Sequence, residues 1–323
     1  MYDVIIVGGG PAGLTAGLYT ARRSLRTVIL SKDVGGQAAT TTAIENYPGV
    51  GVVDGFELMQ RFQRQAEQYG AEFRFAEVHG LAKTAEHFTV HFNTEEAETQ
   101  SVILAFGLTP RSLGVPGEAQ LTGKGVTYSA AAVSDQFHDK TVVVIGGGNS
   151  AIEAVNVLAD VARKVYVVHR RDRFRAEAIL VRKMEQHNNV EQILKTEVLA
   201  IHGSDRVSGV TVQSIVDQKQ RELASDGVCI NIGFMSKTNF VQDLVELNER
   251  NEVVIRPDGT TNMPGIFAAG DLTISSYKQV VVSAGDGCKA ALACYTYLMS
   301  KAGKPIDLNQ DWAVTSGEHF IRT

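Results

Sequence analysis

Cysteine is scarce: Cys229, Cys288 and Cys294 are the three in the chain, and no two have Cys-x-x-Cys or metal-ligand spacing. This excludes a disulfide-stapled scaffold and any dithiol built from neighbouring cysteines. Cys288 and Cys294 lie six apart on an expected helix, about 240° around it, so they do not share a face. Cys229 falls in an apolar strand pattern and reads as a small buried hydrophobe. The eight histidines show no ligand spacing either, so no metal is expected. No apolar run reaches the ~20 residues that cross a bilayer. Basic charge is not in excess: 36 acidic residues face 31 basic ones, and the net charge of -5 argues against nucleic-acid or anionic-membrane partners. A strand pattern begins at once (Tyr2-Asp3-Val4-Ile5-Ile6-Val7), so no secretory leader and a cytoplasmic location are expected. What remains is an ordinary globular balance, 44% hydrophobic and 21% charged, over 323 residues, a length for two domains.

One unit is used twice. Val4-Ile5-Ile6-Val7 runs into Gly8-Gly9-Gly10-Pro11-Ala12-Gly13 and then a helical stretch ending near Arg22. Thr141-Val142-Val143-Val144-Ile145 runs into Gly146-Gly147-Gly148-Asn149-Ser150-Ala151 and a helix to about Ala162. Strand, glycine turn and helix, repeated a domain apart, specify an α/β chain with two Rossmann-like nucleotide-binding domains. A helix is expected over 54–69, where Phe56, Met59, Phe62 and Ala66 recur at helical spacing. Strands are expected at 27–30, 73–75, 89–92 and 101–105, then at 164–168, 190–201, 209–215 and 227–232. Pro110, Pro116 and Gly117 mark the exit from the first domain. The chain leaves the second over 238–251, and Gly265-Ile266-Phe267-Ala268-Ala269-Gly270-Asp271 reads as a return to the first. The second domain, 117–245, is therefore expected as an insertion between 1–116 and 246–323.

Gly8-x-Gly10-x-x-Gly13 has the dinucleotide spacing: a tight turn, close backbone approach to a pyrophosphate, and close helix–strand packing. Pro11 and Ala12 open the helix whose amides and dipole would face the phosphates. The usual ribose-binding acid after the second strand is absent; Ser31 stands there, a weaker hydrogen-bonding group. Gly146-x-Gly148-x-x-Ala151 is the alanine-ending variant, with Asn149 and Ser150 inside it. After its second strand come His169, Arg170, Arg171 and Arg175. Guanidinium groups at that place suit a 2′-phosphate, so NADPH is expected rather than NADH.

Further strings occur in a fixed order: Gly35-Gly36-Gln37 with Thr40-Thr41-Thr42 and Glu45-Asn46-Tyr47-Pro48-Gly49, then His169-Arg170-Arg171 with Phe174-Arg175-Ala176, then Gly265 to Asp271, then Lys278-Gln279-Val280. Over residues 2–297 the chain resembles the low-molecular-weight thioredoxin reductase family. The resemblance implies three-layer ββα domains, with an NADPH domain inserted in an FAD domain, and a homodimer. It also implies FAD contacts from Gly36, Gln37, Thr42, Asn46, Ala105 and Gly107, and from Gly270, Asp271, Lys278, Gln279 and Val280.

Two departures stand out. The family's Ala-Thr-Gly before the interdomain linker is here Ala105-Phe106-Gly107, which puts apolar bulk where a hydroxyl is usual. The family's Cys-x-x-Cys falls on Ser129 and Ala132, neither of which can form a thiolate or a disulfide. Hydride transfer from NADPH to FAD needs only the two cofactors aligned. The expected outlet is then the flavin itself, to ferredoxin, flavodoxin, a quinone or oxygen, with thioredoxin less favoured. Ser129, Asp135 and, in the tail beyond residue 303, His319 are the candidate catalytic side chains. Two other readings stay open: a reductase whose cysteines were replaced by engineering, or a relative that holds a nucleotide or second flavin without hydride transfer.

Overall fold

The computed structural model describes residues 1–41 and 43–306, and for 131–133 the backbone alone. The chain opens β1 (Tyr2–Val7), α1 (Pro11–Arg22), β2 (Thr27–Ser31), α2 (Gly55–Gln68), β3 (Glu72–Phe75), β4 (Val78–Lys83), β5 (Phe88–Phe92) and β6 (Glu95–Leu104). It continues β7 (Thr109–Pro110), α3 (Glu118–Leu121), β8 (Val126–Thr127), β9 (Thr141–Gly146), α4 (Asn149–Ala159), β10 (Lys164–Val168) and α5 (Ala178–Glu185). Then come β11 (Val190–Ile193), β12 (Thr196–Gly203), β13 (Val207–Ser214), β14 (Gln220–Ala224), β15 (Gly227–Asn231), β16 (Phe234–Met235), β17 (Ile266–Ala268) and α6 (Val280–Lys301).

Local chemistry sets these elements. Val4, Ile5, Ile6 and Val7 are buried on both faces, as an unbroken β-branched run in a parallel sheet must be. Pro11 opens α1 at the position where its fixed φ suits a helix and its missing N–H is not needed. Asp54 caps α2, its carboxylate accepting from Glu57 N at 3.0 Å, and the helix turns Leu58, Met59 and Ala66 inward. No helix among the described residues is long and apolar enough to cross a membrane.

The contacts divide into two units. One comprises Met1–Ala39, Ile44–Gly107 and the chain from Ser236; the other comprises Leu108–Met235 together with the short stretch Thr40–Ala43. In the first, the strand order is β3-β2-β1-β6, with β17 beside β6 and all these pairs parallel; the N-terminal part of β6 pairs antiparallel with β5, and β5 with β4. In the second, the order is β11-β10-β9-β15-β8, again parallel. The two sheets thus run in the same sense, third strand, second, first, then a returning strand. Alternate residues of each sheet feed opposite faces. Val4 and Ile6 join α1, α2 and α6 in one core, while Ile5 and Val7 join Val90, Phe92 and Val241 in the other. In the second unit Val142 and Val144 face α4, and Val143 and Ile145 face the antiparallel sheet β12-β13-β14. Each unit is three layers, the expected α/β architecture.

Two features differ from the sequence reading. The single strand expected over 190–201 is two: β11 is parallel to β10, while β12 is antiparallel to β13 in another sheet. The chain turns between them at Lys195, whose φ is +50°. The second unit begins and ends earlier than 117 and 245, because β7 and β16 pair with each other and so fall in it together.

A carboxylate that the pattern did not single out anchors the start of this unit. Glu118 is 3% exposed. Its Oε1 accepts from Leu113 N at 3.0 Å and Tyr128 OH at 2.8 Å, and its Oε2 from Ser112 OH at 2.7 Å and Gly114 N at 2.8 Å. Burial works to raise its pKa, but the bonds from Ser112, Tyr128, Leu113 and Gly114 together hold it below the ordinary carboxylate value.

Candidate functional site

In the first unit Val7 lies level with Leu30 of β2 and Leu104 of β6, so the glycine turn starts where the sheet ends. Gly8 has φ +114°, and a Cβ there would strike Ala105 O. A Cβ on Gly13 would strike Gly8 O. Gly10 differs: only Gly35 O, at 3.8 Å, lies near its Cβ direction, so the turn is tight behind and open in front. Gly10 is also the N-cap of α1 and no side chain caps the helix, which leaves the first amides, at Ala12 and Gly13, to an external acceptor. Ser31 lies directly beneath the turn, its Oγ 2.9 Å from where a Gly9 Cβ would be.

Distant segments close on this turn. A Cβ on Gly270 would sit 2.9 Å from Ala12 Cβ, which places Asp271 next to the start of α1. Asp271 accepts from Ser283 OH at 2.9 Å. Burial raises its carboxyl pKa; Ser283 and Lys278 oppose that, and Asp286 adds to it. Asp286 on α6 pairs with Lys289 at 2.7 Å, yet its Oδ2 is buried and has no partner among the described residues. Gln279 is the N-cap of α6 and accepts from Asn46 Nδ2 at 3.0 Å; Val280 is the first residue of that helix. Lys278 is bound otherwise: its ammonium donates to Asp271 O at 2.9 Å and Thr273 O at 2.6 Å and pairs with Glu252 at 3.2 Å. All three of its hydrogens are engaged inside the protein.

Phe106 is half-buried and its ring lies 5.3 Å from that of Phe240, against the second core of the unit. The core takes up at least part of the bulk of this ring. Gly107 follows at φ +62°. Gly36 and Gln37 open a short 3-10 turn, and Asp33 Oδ1 accepts from Gly36 N at 2.9 Å. Thr42 and His319 lie outside the described residues.

The second unit repeats the cradle. Ile145 is level with Val168 of β10 and Ile230 of β15. Gly146 has φ +147°, and a Cβ there would strike Asn231 O and come within 2.8 Å of Ala151 Cβ. Nothing lies within 4 Å of the Cβ direction of Gly148, the uncapped N-cap of α4. Again the turn is tight behind and open in front. His169 is buried below it, with ring atoms 2.5 Å from a Gly147 Cβ, and stacks on Phe174 at 5.7 Å. Burial lowers the His169 pKa, and Arg175, Arg171 and Arg170 push the same way, so the ring is held neutral. Arg170, Arg171 and Arg175 are exposed and make no ion pair among the described residues. Asn149 and Ser150 are exposed in the first turn of α4.

Ser129 is half-buried, its backbone N–H bonded to Thr127 Oγ1 at 3.1 Å. Ala132 lies in a 3-10 segment, and Asp135, three residues on, is exposed. The thiols offer no substitute for a dithiol. Cys229 is buried and burial pushes its thiol up to about 12. Cys294 is also buried, 3.1 Å from Ser101 Oγ, and burial pushes it up to about 12. Sequence reasoning missed Asp286 and Glu177. The signals were present: the one acid in a mostly apolar helix, and an acid directly before the amphipathic stretch of α5.

Both cradles fit a dinucleotide, on the open second glycines and uncapped helix ends just described. Residues 2–287 match the family described as pyridine nucleotide-disulphide oxidoreductase. The chain is 37% identical over 301 residues to a thioredoxin reductase of Mycolicibacterium smegmatis, covering 92% of this chain and 97% of that protein. The thioredoxin reductase structure from Lactococcus lactis is similar at a TM-score of 0.80 and 32% identity, over 93% of this chain and 100% of that one. A ferredoxin-flavin thioredoxin reductase from Clostridium acetobutylicum is similar at a TM-score of 0.53 and 28% identity, over 94% and 99%.

Proposed function

This chain belongs to the pyridine nucleotide-disulphide oxidoreductase family and is of thioredoxin reductase type, and from that premise we propose that its electrons leave from the flavin itself rather than through a dithiol. It is an FAD-dependent NAD(P)H oxidoreductase. The observation that carries the proposal is chemical: the sequence has no Cys-x-x-Cys, the resemblance puts Ser129 and Ala132 at the family's cysteine positions, and Cys229 and Cys294 are buried thiols pushed up to about 12.

The first unit takes FAD. Gly8, Gly10 and Gly13 let the pyrophosphate approach the backbone, and the uncapped amides of α1 meet its charge. Asn46 and Gln279 order each other at the mouth of α6, and Asp271 is held by Ser283 beside the cradle. The second unit takes NADPH. Gly146, Gly148 and Ala151 form its phosphate turn, and Arg170, Arg171 and Arg175 supply exposed guanidinium groups for the 2′-phosphate. FAD held there would supply the two-electron redox chemistry, and NADPH in the second unit would be the hydride source. The acceptor is a small redox protein such as a ferredoxin or flavodoxin, or a quinone or oxygen; a protein of similar fold carries ferredoxin in its name.

The test is anaerobic mixing of the flavin-loaded protein with NADPH, and separately with NADH, while the yellow flavin band is followed. Rapid bleaching by NADPH and slow bleaching by NADH are expected. Reduced protein is then offered ferredoxin, flavodoxin, a quinone, oxygen and oxidised thioredoxin. Catalytic turnover of thioredoxin would overturn the proposed outlet, and no bleaching by either nucleotide would overturn the proposed hydride path.

A further inference from the structure

We infer that Asn149 and Glu177 form a clamp that positions the arginine loop for the nucleotide's 2′-phosphate and so sets the preference for NADPH over NADH; this rests on the reading that the second unit takes NADPH. The clamp is reciprocal. Asn149 Nδ2 donates to Glu177 Oε1 at 2.9 Å, and Glu177 N donates to Asn149 Oδ1 at 2.9 Å. One amide side chain thus uses a donor and an acceptor on the same residue, which fixes orientation as well as distance. It joins the first residue of α4 to the N-cap of α5, 28 positions on.

Two residues earlier on both segments there is a second rung. Arg175 N donates to Gly147 O at 2.7 Å. Gly147 with Arg175, and Asn149 with Glu177, stitch the arginine loop to the glycine turn like two rungs of a short ladder. Arg175 stands at one rung, between the stacked pair His169 and Phe174 on one side and the clamp on the other. Asn149 occupies one oxygen of Glu177. Arg170, Arg171 and Arg175 make no ion pair among the described residues, with Asp172 or with Glu177, and keep their charge for a ligand.

The consequence is selective. The glycine turn and the α4 amides serve the pyrophosphate, which NADPH and NADH share. The arginine loop serves the 2′-phosphate, which only NADPH carries. Loosening the clamp therefore weakens NADPH and leaves NADH nearly untouched. A merely structural role, supporting the start of α4, would weaken both alike. Asn149 and Glu177 are positioning residues in this account.

The test uses the full flavin-loaded chain and two readouts. Calorimetry gives NADP⁺ and NAD⁺ affinities, and anaerobic stopped-flow gives flavin reduction by NADPH and NADH. Asn149→Ala removes both clamp bonds and is expected to weaken NADP⁺ about tenfold, as the loss of one to two hydrogen bonds does, with NAD⁺ within about twofold of wild type. Glu177→Ala removes one bond and is expected to fall between. Glu177→Gln keeps an acceptor at the same reach without the charge and is expected to restore the preference. An unchanged NADP⁺ to NAD⁺ ratio in Asn149→Ala, or equal losses for both nucleotides, overturns the clamp. A wild-type chain with no preference overturns the NADPH reading itself, and is told apart because it appears before any substitution.

Discussion

Asn46 and Gln279, 233 positions apart, are joined side chain to side chain by one hydrogen bond of 3.0 Å. The bond ties the loop that follows the first 3-10 turn to the first turn of α6. The Gln279 side chain does not cap its own helix, so α6 starts with uncapped amides. Each residue orders the other before any cofactor arrives. Asn46→Ala is expected to release FAD faster from diluted holoprotein, by about threefold to tenfold for one hydrogen bond. The recovery of free FAD fluorescence measures this, and an unchanged rate would show that the pair is incidental.

Phe106 gives a stability prediction. Its ring rests on Phe240 and on the second core of the first unit. Phe106→Thr, the residue usual in the family, removes most of that contact. The expected cost is about 2 kcal/mol, less than for a fully buried ring, and the melting temperature falls by about 5 °C. Thermal unfolding followed by circular dichroism checks it.

Glu118 gives a pH prediction. Its folded pKa lies below the ordinary value of 4.5, so the unfolded chain binds the proton more readily. The stability it contributes is complete above about 4.5 and is lost as pH falls through the lower, folded pKa. Glu118→Ala leaves two backbone donors and the Ser112 and Tyr128 hydroxyls without their acceptor, and is expected to cost about 3 kcal/mol at neutral pH. The gap between mutant and wild type narrows in acid. A gap that stays constant from pH 7 to pH 3 would mean the carboxylate charge is not what the donors hold.

The thiols give a prediction about modification. Cys229 and Cys294 are buried with pKa values pushed up to about 12, while Cys288 is half-buried. Native protein at pH 8 is expected to react with no more than one equivalent of an aromatic disulfide reagent, and with three after denaturation. Two or more in the native state would contradict the burial.

The glycine turns and their flanking strands were legible because their causes are local. A β-branched run buried on both faces, a glycine that must avoid Ala105 O and an uncapped helix start all leave marks within a dozen residues. The break between β11 and β12 was not legible, since both halves are strand-like and only their different partners part them. The three partners of Lys278 were not legible either, since they come from loops that no local pattern announces. The Asn149 to Glu177 bonds were likewise hidden, because the two residues are 28 positions apart and no local pattern pairs them.

The short ladder of β7 and β16 has one more consequence. Thr109 and Pro110 lie beside Met235 and Phe234, so the second unit begins and ends at the same spot. It is grafted onto the rest of the chain as a module whose two stalks touch. Removing such a module leaves a gap that a very short bridge spans, at almost no extra loop entropy. A fold wired this way can gain, lose or exchange its second unit in a single genetic step without reordering the strands of the first.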